Sequence, residues 1–135
     1  MVEVKSRIER TAAPAKNGTT HTVGEIARES GVAPSAVRFY EKNGVITARR
    51  TAGNQRQFDE SAACRINVAR LAQRVGLTVR EIADLFADLP TDPTPADWTR
   101  VADALVEEAE ARTAQLRAHL RDLRSGTKLC QLTGD

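Results

Sequence analysis

The sequence predicts a mainly α-helical fold: two short helices about a glycine turn, a small basic hairpin, two more helices, and a last helix of roughly 30 residues. Three observations predict it. Thr22 with Glu25, and Thr78 with Glu81, repeat the spacing at which a threonine hydroxyl and a glutamate side chain cap each other's backbone amides. Gly31, Gly44, Gly76 and Gly126 each close a run with helical apolar spacing. The stretch 96–125 contains neither glycine nor proline, so nothing interrupts a helix of about 45 Å.

The first helix opens at Thr22, carries Val23, Ile26 and Ala27 on one side, and stops at Ser30-Gly31. Pro34 follows closely, and its fixed φ and missing N–H suit the first position of a second helix. That helix is expected over residues 35–43, with Ala36, Val37 and Tyr40 along one side and Gly44 at its end. Two short helices joined by a tight glycine turn make a helix-turn-helix. Ser35, Arg38 and Lys42, spaced by three and four, share one face of the second helix. A hydroxyl and two cations on one stripe suit a phosphate-lined groove, and an arginine can bond a guanine edge bidentately. Standing alone, the stripe would equally suit a solvated surface helix. Phe39 is expected to point elsewhere and pack.

The hairpin narrows that choice. Val45 and Ile46 read as a short apolar strand. Residues 47–57 then set Arg49, Arg50, Asn54, Gln55 and Arg56 around a Gly53-Asn54 turn, and Phe58 resumes an apolar position. A basic hairpin directly after a helix-turn-helix is a wing, whose tip cations can lie along the DNA backbone. Residues 21–58 hold six Lys/Arg against three acids, whereas the whole chain carries a net charge of only +2. Affinity for nucleic acid must therefore come from local clustering.

Beyond the wing, Asp59 is an expected N-cap, with Glu60 in the first turn. Ile66, Ala69, Leu71 and Ala72 form the apolar stripe of that helix, which ends at Val75-Gly76. Arg65 on it reads either as a phosphate contact or as a solvated cation. Cys64, beside Ala62 and Ala63, reads as a small buried packing thiol rather than a reactive one. The next helix follows Thr78 with Val79, Ile82, Ala83, Leu85 and Phe86 on its apolar face, and Leu89-Pro90 closes it. Thr94-Pro95 starts the long helix, with Asp97 in its first turn. Along it Trp98, Ala102, Leu105, Ala109, Arg112, Leu116, His119 and Leu123 alternate steps of four and three, a seam made irregular by Arg112 and His119. Such a stripe on so long a helix wants a partner, most simply the same helix of a second chain in a coiled-coil homodimer. Trp98 reads as a packing anchor; the alternative is an aromatic lining an effector pocket.

Composition bounds the rest. A chain of 135 residues with 41% apolar and 28% charged residues makes one domain, or one domain and an appendage. No apolar run approaches a membrane span, and no apolar segment follows Lys5, Arg7 and Arg10 as a secretory signal requires. Two cysteines make no disulfide framework, which points to a reducing, cytoplasmic setting. No His, Cys and acid stand at a local catalytic spacing and no glycine loop cradles a phosphate, so an enzyme is not expected. No metal site is read. The expected division is a leader (1–20), a winged helix-turn-helix DNA-binding domain (21–90), a dimerisation helix (94–125) and a tail (126–135).

The runs VGEIARESGVAPSAVRFYEKNGVI, RTAGNQRQFDES and VARLAQRVGLTVREIADLF resemble the N-terminal domain of MerR-family transcription regulators, and the wing RTAGNQRQF is most similar to the SoxR-type branch. The resemblance covers residues 22–89 closely. It implies a homodimer on double-stranded DNA at a pseudopalindromic promoter operator, with the long helices paired antiparallel, and RNA polymerase as the partner. It also implies bending and untwisting of an overlong promoter spacer. With the spacing and the basic hairpin read above, it gives the candidate contacts: Ser35, Arg38, Tyr40 and Lys42 of the helix, and Arg49, Arg50, Asn54, Gln55 and Arg56 of the wing. The role of Tyr40, a phosphate contact, comes from the resemblance alone. Ala33 stands where the family often has Ser or Thr, which removes one cap and one phosphate contact. SoxR-type proteins ligate a [2Fe–2S] cluster with four cysteines after the dimer helix. Here that place holds Cys130 alone, so no cofactor is expected. Cys130 remains a candidate sensor, part of a metal thiolate completed by other groups, or an ordinary tail cysteine. The other functional class is an effector-independent architectural DNA-binding protein, or a repressor by occupancy.

Overall fold

The computed structural model of the chain describes residues 20–126. The expected leader, except Thr20, and the expected tail beyond Gly126, with Cys130, lie outside the described residues. The elements are α1 (Val23–Ser30), α2 (Pro34–Lys42), β1 (Ala48–Arg50), β2 (Arg56–Phe58), α3 (Ser61–Val75), α4 (Val79–Phe86) and α5 (Pro95–Arg124).

Local chemistry sets the helix starts. Thr22, Thr78 and Thr94 each accept a hydrogen bond from the amide three residues on, while Glu25, Glu81 and Asp97 accept one from the threonine amide. The third pair, read from sequence only as a cap and a first-turn acid, is thus a full reciprocal box. Ala33, before Pro34, supplies no side-chain bond. The helical bonding of α3 begins one residue later than an Asp59 cap implies, yet the Asp59 carboxylate still accepts the Ser61 amide at 2.9 Å and its hydroxyl at 2.6 Å.

Val45 and Ile46 are not the strand that their apolar character suggests. Gly44 adopts φ 82°, and the turn returns the Val45 amide to the Tyr40 carbonyl (2.9 Å) and the Gly44 amide to that of Glu41 (3.1 Å). These residues therefore close α2, with the Val45 and Ile46 side chains buried. The hairpin starts later, pairing Ala48 with Phe58, Arg49 with Gln57 and Arg50 with Arg56. At its tip Asn54 rather than Gly53 takes the left-handed conformation, at φ 64°. His21 adds a bridge on the other side of β2, exchanging backbone bonds of 2.7 and 2.8 Å with Phe58.

Ile26, Val37, Phe58, Ile66 and Ile82 are completely buried and draw α1, α2, β2, α3 and α4 onto one core. The inward side of α3 runs through Ala62, Ile66, Ala69 and Ala72. Two expectations fail on this rotation. Cys64 and Leu71 are exposed, because neither falls on that stripe. Seam residues Trp98 and Leu105 serve the chain's own core. Trp98 meets Phe86 edge-on at 5.9 Å, and Leu105 is buried with Val101. Arg112 donates to the Gly76 carbonyl at 2.6 Å and pairs with Glu108 at 2.9 Å. Gly76 stands at φ 114°, where a Cβ would come 2.9 Å from the Arg112 guanidinium. The first half of α5 is thus fastened to α3, while Leu116, Leu120 and Leu123 stay exposed farther along.

Bonds from the threonine amides hold the carboxyls of Glu25, Glu81 and Asp97 below their ordinary values, with the threonine hydroxyls acting in the same direction. A carboxylate depressed in the folded state stabilises above its unfolded pKa and loses that contribution as pH falls through the folded one. The melting temperature should therefore decline as pH falls below the ordinary glutamate value of 4.5. In the triple variant Glu25→Gln, Glu81→Gln, Asp97→Asn that acid limb should flatten in a calorimetric pH series; an unchanged limb would assign it to other carboxylates.

Candidate nucleic-acid interface

Burial of Val37 and Tyr40 fixes the rotation of α2 and turns Ser35, Arg38, Phe39 and Lys42 outward, all exposed. Among the described residues, Ser35, Arg38 and Lys42 make no side-chain hydrogen bond or ion pair. Two cations and a hydroxyl of α2 are thus left free for an anionic partner. Phe39 corrects its reading as a packed residue: it is 46% exposed and lies on this same stripe.

Tyr40 belongs to the core rather than to the stripe. It is 6% exposed, and its hydroxyl donates to Gln73 Oε1 of α3 at 2.6 Å. Burial pushes its phenol above the ordinary value, with the Arg70 charge opposing. The group therefore stays a proton donor throughout the neutral range. The phosphate contact implied by resemblance would require the hydroxyl to leave or share Gln73.

In the wing, Arg49, Arg50, Asn54 and Gln55 are exposed. Arg50 is partly occupied, donating to the Asn54 carbonyl at 3.0 Å; Arg49 has no side-chain partner among the described residues. Arg56 behaves differently. Its Nε donates to Glu41 Oε1 of α2 at 2.6 Å, both side chains being partly buried. It ties the wing to the helix and is not a free tip cation. Arg65 meets neither of its sequence readings: it donates to the Pro90 carbonyl at 2.7 Å and to the Ser61 hydroxyl at 3.0 Å. Burial lowers its guanidinium from the ordinary value, opposed by Asp59.

Sequence reasoning missed Glu41, Gln73 and Glu29 as partners. Glu41 carried a signal, an acid on the helix that precedes a basic hairpin. Gln73 lies 33 residues from Tyr40, and no local pattern announces such a bond. Glu29, 3.2 Å from His21 Nδ1, completes the bridge of residue 21 to the domain. Among the described residues no group of three or more His, Cys, Asp and Glu could hold a metal ion, and no helix is long and apolar enough to cross a membrane.

A helix-turn-helix whose outward face is cationic, flanked by a hairpin hydrogen-bonded into the same core, defines a winged DNA-binding domain. Two family profiles match, one described as MerR HTH family regulatory protein over residues 21–89 and one as MerR, DNA binding over residues 64–125. The chain belongs to the MerR family of DNA-binding transcriptional regulators. It is 37% identical over 107 residues to an HTH-type transcriptional activator SoxR homolog of Chromobacterium violaceum, covering 76% of this chain and 72% of that one. It is 29% identical over 114 residues to the HTH-type transcriptional regulator ZntR of Escherichia coli K12, covering 82% and 80%. Among solved structures it resembles HiNmlR, a MerR family regulator lacking the sensor domain, bound to promoter DNA. The TM-score is 0.51 at 19% identity, over 80% of this chain and 87% of that one; this likeness concerns the fold.

Tyr40→Phe should cost about 0.5–1.5 kcal/mol of stability by deleting the Gln73 bond, read from denaturant midpoints, and leave DNA affinity unchanged. A weaker complex from an equally stable variant would instead place the hydroxyl on a phosphate.

Proposed function

We propose that the protein acts as a homodimer on a pseudopalindromic promoter operator. One α2 enters each major groove, the wings lie on the flanking backbone, and transcription is controlled through distortion of the promoter. The observation that carries this reading is the outward face of α2: Ser35, Arg38 and Lys42, unengaged among the described residues, on a helix braced from behind by Val37 and Tyr40. Arg38 is assigned to a base edge, Ser35 and Lys42 to phosphates. Arg49, Arg50, Asn54 and Gln55 of the wing are assigned to the backbone, with Arg56 holding the wing in place. RNA polymerase at the same promoter is the further partner, and the cytoplasm the compartment.

The proposed dimer rests on the far half of α5, where Leu116, Leu120 and Leu123 project without cover from the other described residues. Ala102 and Ala109 continue that side toward the domain, and the seam narrows there because Trp98 and Leu105 are already used. A second copy is the simplest source of the missing apolar surface. No cluster enters this proposal. A [2Fe–2S] site of the family's kind takes four thiolates. This chain has two cysteines, 66 positions apart (Cys64 and Cys130), and Cys64 lies exposed on α3.

Footprinting with a transcription assay and circular-permutation bending tests the whole reading. The expected outcome is protection of one promoter spacer, a bent duplex and altered transcript levels. Protection of many unrelated sites would favour the architectural alternative, and a straight, transcriptionally unaffected operator would sink the distortion mechanism. Arg38→Ala should weaken the specific complex by about 1–3 kcal/mol with relaxed specificity, whereas Arg49→Ala should weaken all duplexes alike and lower the salt slope by about one. Leu116→Arg combined with Leu120→Arg should give a monomer in sedimentation velocity with the thermal melt of the domain retained; a persistent dimer would move the interface elsewhere.

A further inference from the structure

Phe39 is the one large apolar side chain exposed on α2, and its position is unusual for a residue with nothing to do. It stands one residue after Arg38, three before Lys42 and four after Ser35, so cationic and hydroxyl groups surround it on a single helical stripe. Single exposed apolar residues are common and need no explanation. This one is also held in place. Its ring meets that of Tyr40 edge-on, with centroids 5.5 Å apart and planes at 72°, and Tyr40 is itself pinned through Gln73. Its carbonyl accepts from both the backbone amide and the side chain of Asn43, at 3.1 and 2.9 Å. The aromatic group is thus presented to solvent by a rigid support, amid charges that favour a phosphate-rich partner.

We propose that Phe39 reads the 5-methyl group of a thymine in the major groove and is the apolar specificity determinant of the recognition helix. This rests on the DNA-binding reading above and deepens it. A phenyl ring carries no donor or acceptor, so it cannot distinguish the hydrogen-bonding edges of the bases. Among the four base-pair orientations, the thymine methyl is the one apolar feature that the major groove displays. Closing the half-exposed ring against that methyl removes apolar surface from water on both sides. Against cytosine, the ring would instead cover the exocyclic amine without bonding it, which selects against that base.

The test begins by selecting duplexes from a random pool with the full chain. Single thymines of the selected site are then replaced by deoxyuridine, which deletes only the methyl group. For the wild type, one symmetric position should lose about fourfold in affinity per half-site, the factor that corresponds to about 0.8 kcal/mol for one buried methyl-sized group. For Phe39→Ala the same replacement should have no effect, and selection with that variant should no longer enrich thymine there. Phe39→Leu should retain part of the preference. Because Phe39 is exposed, these variants should melt like the wild type. Equal losses from uridine in wild type and Phe39→Ala, or unchanged selection by the variant, would overturn the proposal. If the site is still selected and Arg38→Ala still weakens it, the DNA-binding reading survives that result. If the wild type selects nothing from the pool, both fall together.

Discussion

Burial of Val37 and Tyr40 against α1 and α3 is the constraint from which the rest of the outward cationic surface follows. A helix of nine residues has few ways to hide two neighbouring inward positions, and once they are hidden the opposite face is determined. The Tyr40 hydroxyl, bonded to Gln73, adds a directional restraint to a contact that packing alone would leave free to roll. Gly44 then ends the helix with a left-handed turn that sends Val45 and Ile46 back into the same core. The recognition face, the exit of the chain and the root of the wing are therefore set by one cluster of apolar side chains.

The arginines divide between holding the domain together and facing outward. Arg56 bonds Glu41, Arg65 the Pro90 carbonyl, Arg70 the Ser30 carbonyl at the end of α1, and Arg112 the Gly76 carbonyl at the end of α3. The last two pairings put a cation where a helix leaves its carbonyls unpaired, where it is electrostatically favourable. Arg38 and Arg49 have no such duties among the described residues. This division matters because a guanidinium already bonded within the protein must give up that bond before it can serve a phosphate. Counting the basic residues of residues 21–58 therefore overstates the charge on offer, and the spatial assignment of each side chain corrects the count.

What was legible in the sequence was local. Three helix starts could be read from a threonine and an acid three residues on, because both partners of the interaction lie within one turn. The helix-turn-helix followed from Gly31, Pro34 and Gly44 for the same reason. Errors came where character was taken for position. Val45 and Ile46 are apolar like a strand but spend their backbone closing a helix. Cys64 sits beside buried alanines yet lies off their stripe. Phe39 is aromatic, which suggests packing, yet it is exposed because Val37 and Tyr40 occupy the inward side. The cross-links between Arg65 and Pro90, Tyr40 and Gln73, and Arg112 and Gly76 join residues 25 to 36 positions apart, and no periodicity encodes them.

The seam of α5 shows why a single apolar stripe can serve two partners. Its steps of four and three run on throughout, and only the polar seam residues Arg112 and His119 hint at where one partner ends and the next begins. Arg112 gives that mark a meaning in space: its bond to the Gly76 carbonyl fastens the fifth turn of the helix to the end of α3, while Glu108 of the same helix braces the guanidinium. Before it, Trp98, Val101 and Leu105 pack into the core of the DNA-binding unit. After it, Leu116, Leu120 and Leu123 lie exposed on a helical arm, uncovered by the other described residues. If a second copy held that arm, as proposed above, the two domains would be joined through α5 packed on α3, and packed helices transmit an angle that a free loop would absorb. The spacing and tilt of the two α2 helices would then depend on how the two long helices cross. In the proposed dimer, a change in that crossing would reach the DNA as a change in the bend or twist of the bound duplex, which is the quantity a distortion mechanism needs to control.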